Sequence, residues 1–302
     1  MSERRTGLLM PLSPLPGPHG HGDLGEAAHE FVRFLARARQ GLWQMLPIHP
    51  AGFGGSPYSS ASAFAGEPLA IALDDLCARG LLRPQELGRP LAEGRVDFAA
   101  AHERRAPLLR LAFARHREQP GALAAEIAAF RRRARFWLGD HTLFEALKAR
   151  HGHGSWLDWP LPLRARRPDA LAAARRELRD EIAYREFEQA LFDLQWRRLR
   201  EHARTHDVQL VGDVPIFVAH DSADVWAHQE VFQLDRRGRP THVSGVPPDY
   251  FSVDGQLWGT PLYDWDASRR TGHRFWVERL YALAERFDLV RLDHFIGFVR
   301  YW

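Results

Sequence analysis

Phe287-Asp-Leu-Val-Arg-Leu-Asp-His294 reads as an apolar strand that ends in an arginine, a carboxylate and a histidine. A strand that delivers polar groups at its C-terminal tip is the pattern of a (β/α) barrel, whose chemistry sits on that face. Upstream, residues 273–287 place Phe275, Trp276, Leu280 and Leu283 at helical spacing, so a helix leads into this strand. Val208-Gln-Leu-Val-Gly-Asp-Val-Pro-Ile-Phe-Val218 is a second apolar strand, with Asp213 near its end. Leu42-Trp-Gln-Met-Leu-Pro-Ile48 is a third, followed by His49-Pro50 and a Gly/Ser/Pro-rich loop over 51–62. The first strand is Gly7-Leu-Leu-Met-Pro-Leu12, and a helix over 24–38 separates it from the strand at 42. A helical crossover between strands implies parallel pairing.

Between these strands the composition changes. Residues 67–204 are dominated by Ala, Leu, Arg and Glu, with helical patterns over 122–136 and 171–199. This is too long for a simple crossover and reads as a mostly helical insertion. The Trp/Pro-rich loop around Trp156 and Trp159 interrupts it, and both tryptophans read as ordinary core. Residues 219–270 read as an irregular loop rich in Gly, Pro and aromatics. The expected organisation is therefore 1–66 as first strands and loop, 67–204 as helical insertion, and 205–302 as strands with an inserted loop over 219–270.

The 302 residues suffice for a large core, and 45% hydrophobic with 26% charged is a globular balance. No run of about 18 apolar residues predicts a membrane span, and no secretory signal is evident. The single Cys77 excludes an internal disulfide, points to a reducing, cytoplasmic setting, and reads as a buried small hydrophobe. The net charge is +3, and Lys148 is the only lysine. No stacking aromatics accompany the clusters Arg131-Arg-Arg-Ala-Arg135 and Arg164-Ala-Arg-Arg167 in a recognisable RNA- or DNA-binding motif, so they read as solvated faces and not as a nucleic-acid surface. His19-Gly-His21 and His151-Gly-His153 lack further ligands at diagnostic spacing and read as turns, with no metal implied.

The chemistry starts at Asp293. An arginine two residues away favours the ionised carboxylate, which suits a nucleophile better than a general acid. His294 is a hydrogen-bond donor for a hydroxyl. A structural ion pair at a strand end is the alternative that the tetrapeptide alone leaves open.

Longer strings add to this. Gly245-Val-Pro-Pro-Asp-Tyr-Phe-Ser252, Gly255-Gln-Leu-Trp-Gly-Thr-Pro-Leu-Tyr263 and Arg291-Leu-Asp-His-Phe-Ile-Gly-Phe298 closely resemble the amylomaltases, the 4-alpha-glucanotransferases of the alpha-amylase clan. Ser56-Pro-Tyr-Ser-Ser-Ala-Ser-Ala-Phe-Ala-Gly66 and Gly212-Asp-Val-Pro-Ile-Phe-Val-Ala-His-Asp-Ser-Ala-Asp-Val-Trp226 do so too. So do Trp43-Gln-Met-Leu-Pro and the N-terminal Gly7-Leu-Leu and Ser13-Pro-Leu-Pro-Gly-Pro18.

The resemblance implies an α/β fold, a TIM (β/α)8 barrel with helical and loop insertions, of which about the first half is expected here. It implies transfer of a 1,4-alpha-glucan segment to a glucose or maltooligosaccharide acceptor by retaining double displacement. It makes Asp293 the nucleophile, Arg291 its orienting partner, and Asp213 a donor-sugar ligand and brace. Tyr58 and His294 fall on donor-side positions, with Tyr58 stacking under a glucose ring. Trp258, Asp249, Tyr250 and Phe251 fall on the loop over the acceptor sites. Thr260 stands where the family more often has Asn, and Ile296 where many members are polar. Both are expected to tune sugar contacts.

The implied partners are alpha-1,4-glucans and maltooligosaccharides, with no cofactor, nucleic acid, membrane or obligate protein partner. The family's acid/base glutamate and a further aspartate belong to later strands. The chain is therefore expected to be the front part of a longer protein, inactive alone, with uncovered sheet edges that favour association. An alpha-amylase-like hydrolase and an inactive glucan-binding module are the alternatives.

Overall fold

The computed structural model describes residues 4–51, 56–91, 94–250 and 252–300. Four strands form one parallel sheet: β1 (Gly7–Leu9), β2 (Leu42–Gln44), β3 (Gln209–Val214) and the strand Leu289–Leu292. A separate antiparallel hairpin is formed by β4 (Val243–Val246) and β5 (Gln256–Pro261), so Leu289–Leu292 is β6. The sheet order is β1-β2-β3-β6. The register pairs Gly7 with Leu42, Leu42 with Gln209, and Asp213 with Arg291. The parallel sheet inferred from the crossover is thus present, as an open part of a (β/α) barrel. Its outer strands are β1 and β6, where Leu8, Leu9 and Leu289 are exposed.

The strands are shorter than their apolar runs. Beyond Gln44 and Val214 the chain stays buried, but its backbone bonds go to loops. Met45 N–H still donates to Val211 O, while the chain after Val214 turns at Pro215, which has no N–H to continue a ladder. Gly212 has a steric reason: a Cβ there would lie 2.4 Å from the Phe287 ring, which packs against the strand.

The helices are α1 (Glu26–Arg37), α2 (Leu73–Ala78), α3 (Phe98–Glu118), α4 (Leu123–Arg133), α5 (Leu138–Arg150), α6 (Leu161–Arg164), α7 (Pro168–Glu177), α8 (Arg179–Thr205), α9 (Ala223–Ala227), α10 (Trp265–Arg270) and α11 (Arg274–Arg286). The helix expected over 171–199 is two helices, α7 and α8, that meet at Leu178. Helix α8 is the spine. Tyr184, Phe187, Leu191, Trp196, Leu199 and Ala203 recur at three- to five-residue spacing and are buried. They pack against α1, α3, α4, α5, α11 and β3. Each large apolar side chain so buried contributes about 2 kcal/mol.

Helix α8 also carries polar groups inward. Gln189 accepts from Gly66 N–H (2.8 Å) and donates to Gly66 O (2.9 Å). Gln195 does the same at Ala72, at 2.8 and 3.1 Å. Two glutamine amides thus satisfy backbone groups that a buried loop would otherwise leave unpaired.

The segment 219–270, expected to be irregular, contains α9, the β4–β5 hairpin and α10. Its Gly and Pro residues mark the turns between these short elements. Trp156 and Trp159 are buried, as expected of core residues. Cys77 is partly buried against the core, less than expected, and burial raises its thiol pKa. Both His-Gly-His segments form turns. The arginine clusters are partly paired: Arg131 with Glu186, Arg133 with Asp193, Arg166 with Asp140, and Arg167 with Asp169. Among the described residues no helix is long and apolar enough to cross a membrane.

Candidate active site

Parallel pairing of β3 with β6 sets Asp213 beside Arg291, since both strands run to the same edge. Arg291 then reaches both ways. Its Nη1 donates to Asp213 Oδ1 at 2.6 Å and its Nη2 to Asp293 Oδ1 at 2.5 Å. The two carboxylates differ in access. The Asp213 side chain is 1% exposed and that of Asp293 is 30% exposed. One acid is an internal anchor and the other is open to a ligand. The bond to Asp213, its first cause, and the charge of both acids raise the Arg291 pKa further above its ordinary value.

Tyr58 arrives from the loop after β2. Its hydroxyl donates to Asp213 Oδ2 at 2.7 Å. Burial, then this bond and the Asp213 charge, push the phenol up to about 12. Asp213 therefore accepts from two sides, which fixes its rotamer. Residues separated by 155 and 78 positions in sequence meet at one carboxylate.

His294 follows Asp293 in the left-handed region, at φ 48° and ψ 46°. A non-glycine residue there stores strain, a feature that collects at functional sites. Its ring meets the Trp258 indole edge-to-face, 4.9 Å between centroids. Trp258 lies on β5, so the hairpin reaches the strand tip. Asp249 and Tyr250 sit in the connection between β4 and β5. Asp249 Oδ1 accepts from Ser252 N–H at 2.9 Å, and Tyr250 is 97% exposed. Phe251 lies outside the described residues. Thr260 turns inward, not to a ligand: its hydroxyl bonds Ser244 across the hairpin at 2.5 Å. Ile296 is half exposed.

His49, in the chain that follows β2, is buried with Nδ1 on Ala65 O (2.8 Å), and burial lowers its pKa to about 3. It braces the Tyr58 loop. Two braces escaped the sequence reading. Arg279 of α11 is fully buried and donates to Ile216 O (3.0 Å), Pro215 O and the Tyr263 hydroxyl (3.2 Å). Asp224 of α9 accepts from Ala63 N–H at 2.6 Å. Asp224 stands inside a string that drew notice, but a lone aspartate carries no mark of its partner. Among the described residues, no group of three or more His, Cys, Asp and Glu is placed to hold a metal.

The arrangement presents one reachable carboxylate, oriented by an arginine that is itself anchored on a buried acid, with the Tyr58 hydroxyl on that acid and the Trp258 ring against the neighbouring His294. Comparison with known proteins gives it a family. The 4-alpha-glucanotransferase family model matches residues 10–302. The 4-alpha-glucanotransferase of Thermus thermophilus is 49% identical over 99% of this chain and 60% of its own length. The chloroplastic/amyloplastic relative from Solanum tuberosum is 42% identical over 99% of this chain and 53% of its own length. The amylomaltase of Streptococcus agalactiae, solved in complex with acarbose, superposes at a TM-score of 0.93 with 36% identity, over 98% of this chain and 60% of that one. The chain thus spans about 60% of the length of the first relatives it matches. It belongs to the 4-alpha-glucanotransferase family.

Proposed function

We propose that this chain carries the nucleophile side of a site that transfers 1,4-alpha-glucan segments to a glucose or maltooligosaccharide acceptor. The observation that carries the reading is the Arg291 guanidinium spanning buried Asp213 and reachable Asp293. Asp293 attacks the anomeric carbon, and the bond to the leaving sugar breaks as a general acid protonates that sugar's oxygen. Asp213 is committed as an acceptor to Tyr58 and Arg291, so the acid is assigned outside this cluster. The 4-hydroxyl of the acceptor then displaces Asp293, and two inversions leave the configuration retained.

Arg291 orients the nucleophile, Asp213 braces Arg291 and holds the donor sugar, and Tyr58 and His294 line the donor side. Trp258, Asp249, Tyr250 and Phe251 belong to the acceptor side, where aromatic faces favour a sugar over water. The strand segments 1–66 and 205–302 carry these groups, and 67–204 supports them. We place the activity in the cytoplasm, in line with the single cysteine.

The test is product analysis with maltotriose, on the longer protein of which this chain is expected to be the front part. Transfer predicts a ladder of longer maltooligosaccharides, and glucose without longer products would favour the hydrolase reading. Asp293→Asn should lower transfer roughly a million-fold, the scale for loss of a covalent nucleophile, while maltotriose still binds. Turnover kept within tenfold in that variant would remove Asp293 from the role.

A further inference from the structure

The bond between Tyr58 and Asp213 joins two segments distant in sequence, and its geometry is only as good as the hold of one segment on the other. Asp213 sits on β3, whose place is set by its neighbours β2 and β6. Tyr58 sits on a loop closed at its base by one antiparallel bridge, Ala51 with Ser60, where Ala61 N–H donates to Pro50 O at 3.0 Å. The return arm of that loop, residues 60–66, is laced to the segment that follows β3. Ala219 N–H donates to Ser60 O (2.9 Å) and Ala223 N–H to Ala61 O (3.1 Å). The third tie is made by a side chain, Asp224, which takes the Ala63 N–H at 2.6 Å. Gln189 closes the arm at Gly66 from the opposite side.

Among the described residues no ion pair within salt-bridge distance explains Asp224. It is 3% exposed, and burial pushes its carboxyl up to about 6, with the Ala63 N–H first among the groups that pull it back, then His228 and Arg279. Burying such a group is unfavourable unless its bond is needed. Its place on α9 is fixed locally: Ser222 caps that helix through Val225 N–H at 3.2 Å. Ser62 in turn binds Phe64 N–H (3.2 Å) and Ala65 N–H (3.1 Å), so the position of Ala63 is passed along the arm.

We propose that Asp224 is a positioning residue, which holds the Tyr58 loop against the segment after β3 so that the Tyr58 hydroxyl lies on Asp213. Its meaning for catalysis rests on the glucan-transfer reading, whereas the placement of Tyr58 does not.

The test uses the whole chain labelled with 3-fluorotyrosine, the Tyr58 resonance being assigned by its loss in Tyr58→Phe. Asp224→Ala should shift the Tyr58 signal toward the free-tyrosine position. It should also speed amide exchange over 60–65 at least tenfold, with exchange in the α8 core unchanged. Asp224→Asn keeps an acceptor oxygen without the charge and should restore the signal and leave exchange raised about threefold. A Tyr58 signal and loop exchange in Asp224→Ala equal to those of the parent would overturn the proposal. So would a rise in exchange spread evenly through α8, which marks a general structural role. If Asp224→Ala does not fold, Asp224→Asn decides alone: a confined threefold rise supports the proposal and no change overturns it. Maltotriose titration of the parent chain separates the two readings. No binding there, with the loop result intact, would discard the glucan reading and keep the positioning role.

Discussion

Two loops bring an aromatic ring to the Arg291 cluster, and they are built in opposite ways. The Tyr58 loop returns through Ser60, Ser62, Ala63, Phe64 and Ala65, all buried, and is tied by Asp224, Gln189 and His49. The β4–β5 hairpin brings Trp258, and around it Tyr250, Val253 and Leu257 stand in solvent. Its order comes from its own ladder, the Ser244–Thr260 bond and the Trp258–His294 contact. One ring is set by a loop that side chains of α8 and α9 and His49 hold at its base, the other by a two-stranded ribbon, a form with little stability of its own. A contact to an anchored carboxylate demands the first kind of support. A contact to a ligand that comes and goes is compatible with the second.

The sharpest way to break this contrast is steric. In Gly66→Ala, the new Cβ would lie 2.1 Å from the Phe192 ring on α8. Unfolding free energy from urea midpoints should fall by about 3 kcal/mol, the upper range for overpacking. A loss below about 1 kcal/mol would mean that Phe192 swings aside and the seat of the loop is loose.

A second test concerns acid. His141 of α5 lines, with Ser62, Phe64 and Asp224, a small cavity under the same loop. Burial, with the charges of Arg185 and Arg286 adding, lowers its pKa to about 3. The folded ring stays neutral, whereas in the unfolded chain it binds a proton below about pH 6.5. Stability from this group is therefore present above 6.5 and lost as pH falls toward 3, by about 2 kcal/mol at pH 5. In His141→Leu, the drop in unfolding free energy between pH 7 and pH 5 should be smaller by that amount. An unchanged drop would show the ring to be solvated in the fold.

The smallest effect belongs to the hairpin. Gly259 has φ +73°, and a Cβ there meets nothing within 4 Å. Gly259→Ala should cost about 1 kcal/mol, from the left-handed backbone alone. A cost equal to that of Gly66→Ala would erase the difference between the two loops.

Much of this was legible in the residues. The apolar runs and the helix between the first two foretold a parallel sheet, because strand and helix periods are local properties of the chain. Asp213, Arg291 and Asp293 were legible as strand-tip polar groups, and Tyr58 and Trp258 through the strings that carry the family resemblance. The β4–β5 hairpin was not, since Gly245, Pro247, Pro248 and Gly255 read as loop and its strands hold few β-branched residues. The break at Leu178 between α7 and α8 escaped for the opposite reason, as both sides are good helix formers.

What the chain determined by itself is which groups stand at which strand ends. Only the tertiary structure decided which carboxylate is buried and which is open, and that Arg291 joins them. It also decided that Asp224 and Gln189 hold the Tyr58 loop. Burial and partner choice depend on distances between segments far apart in sequence, and no local pattern of residues encodes a distance.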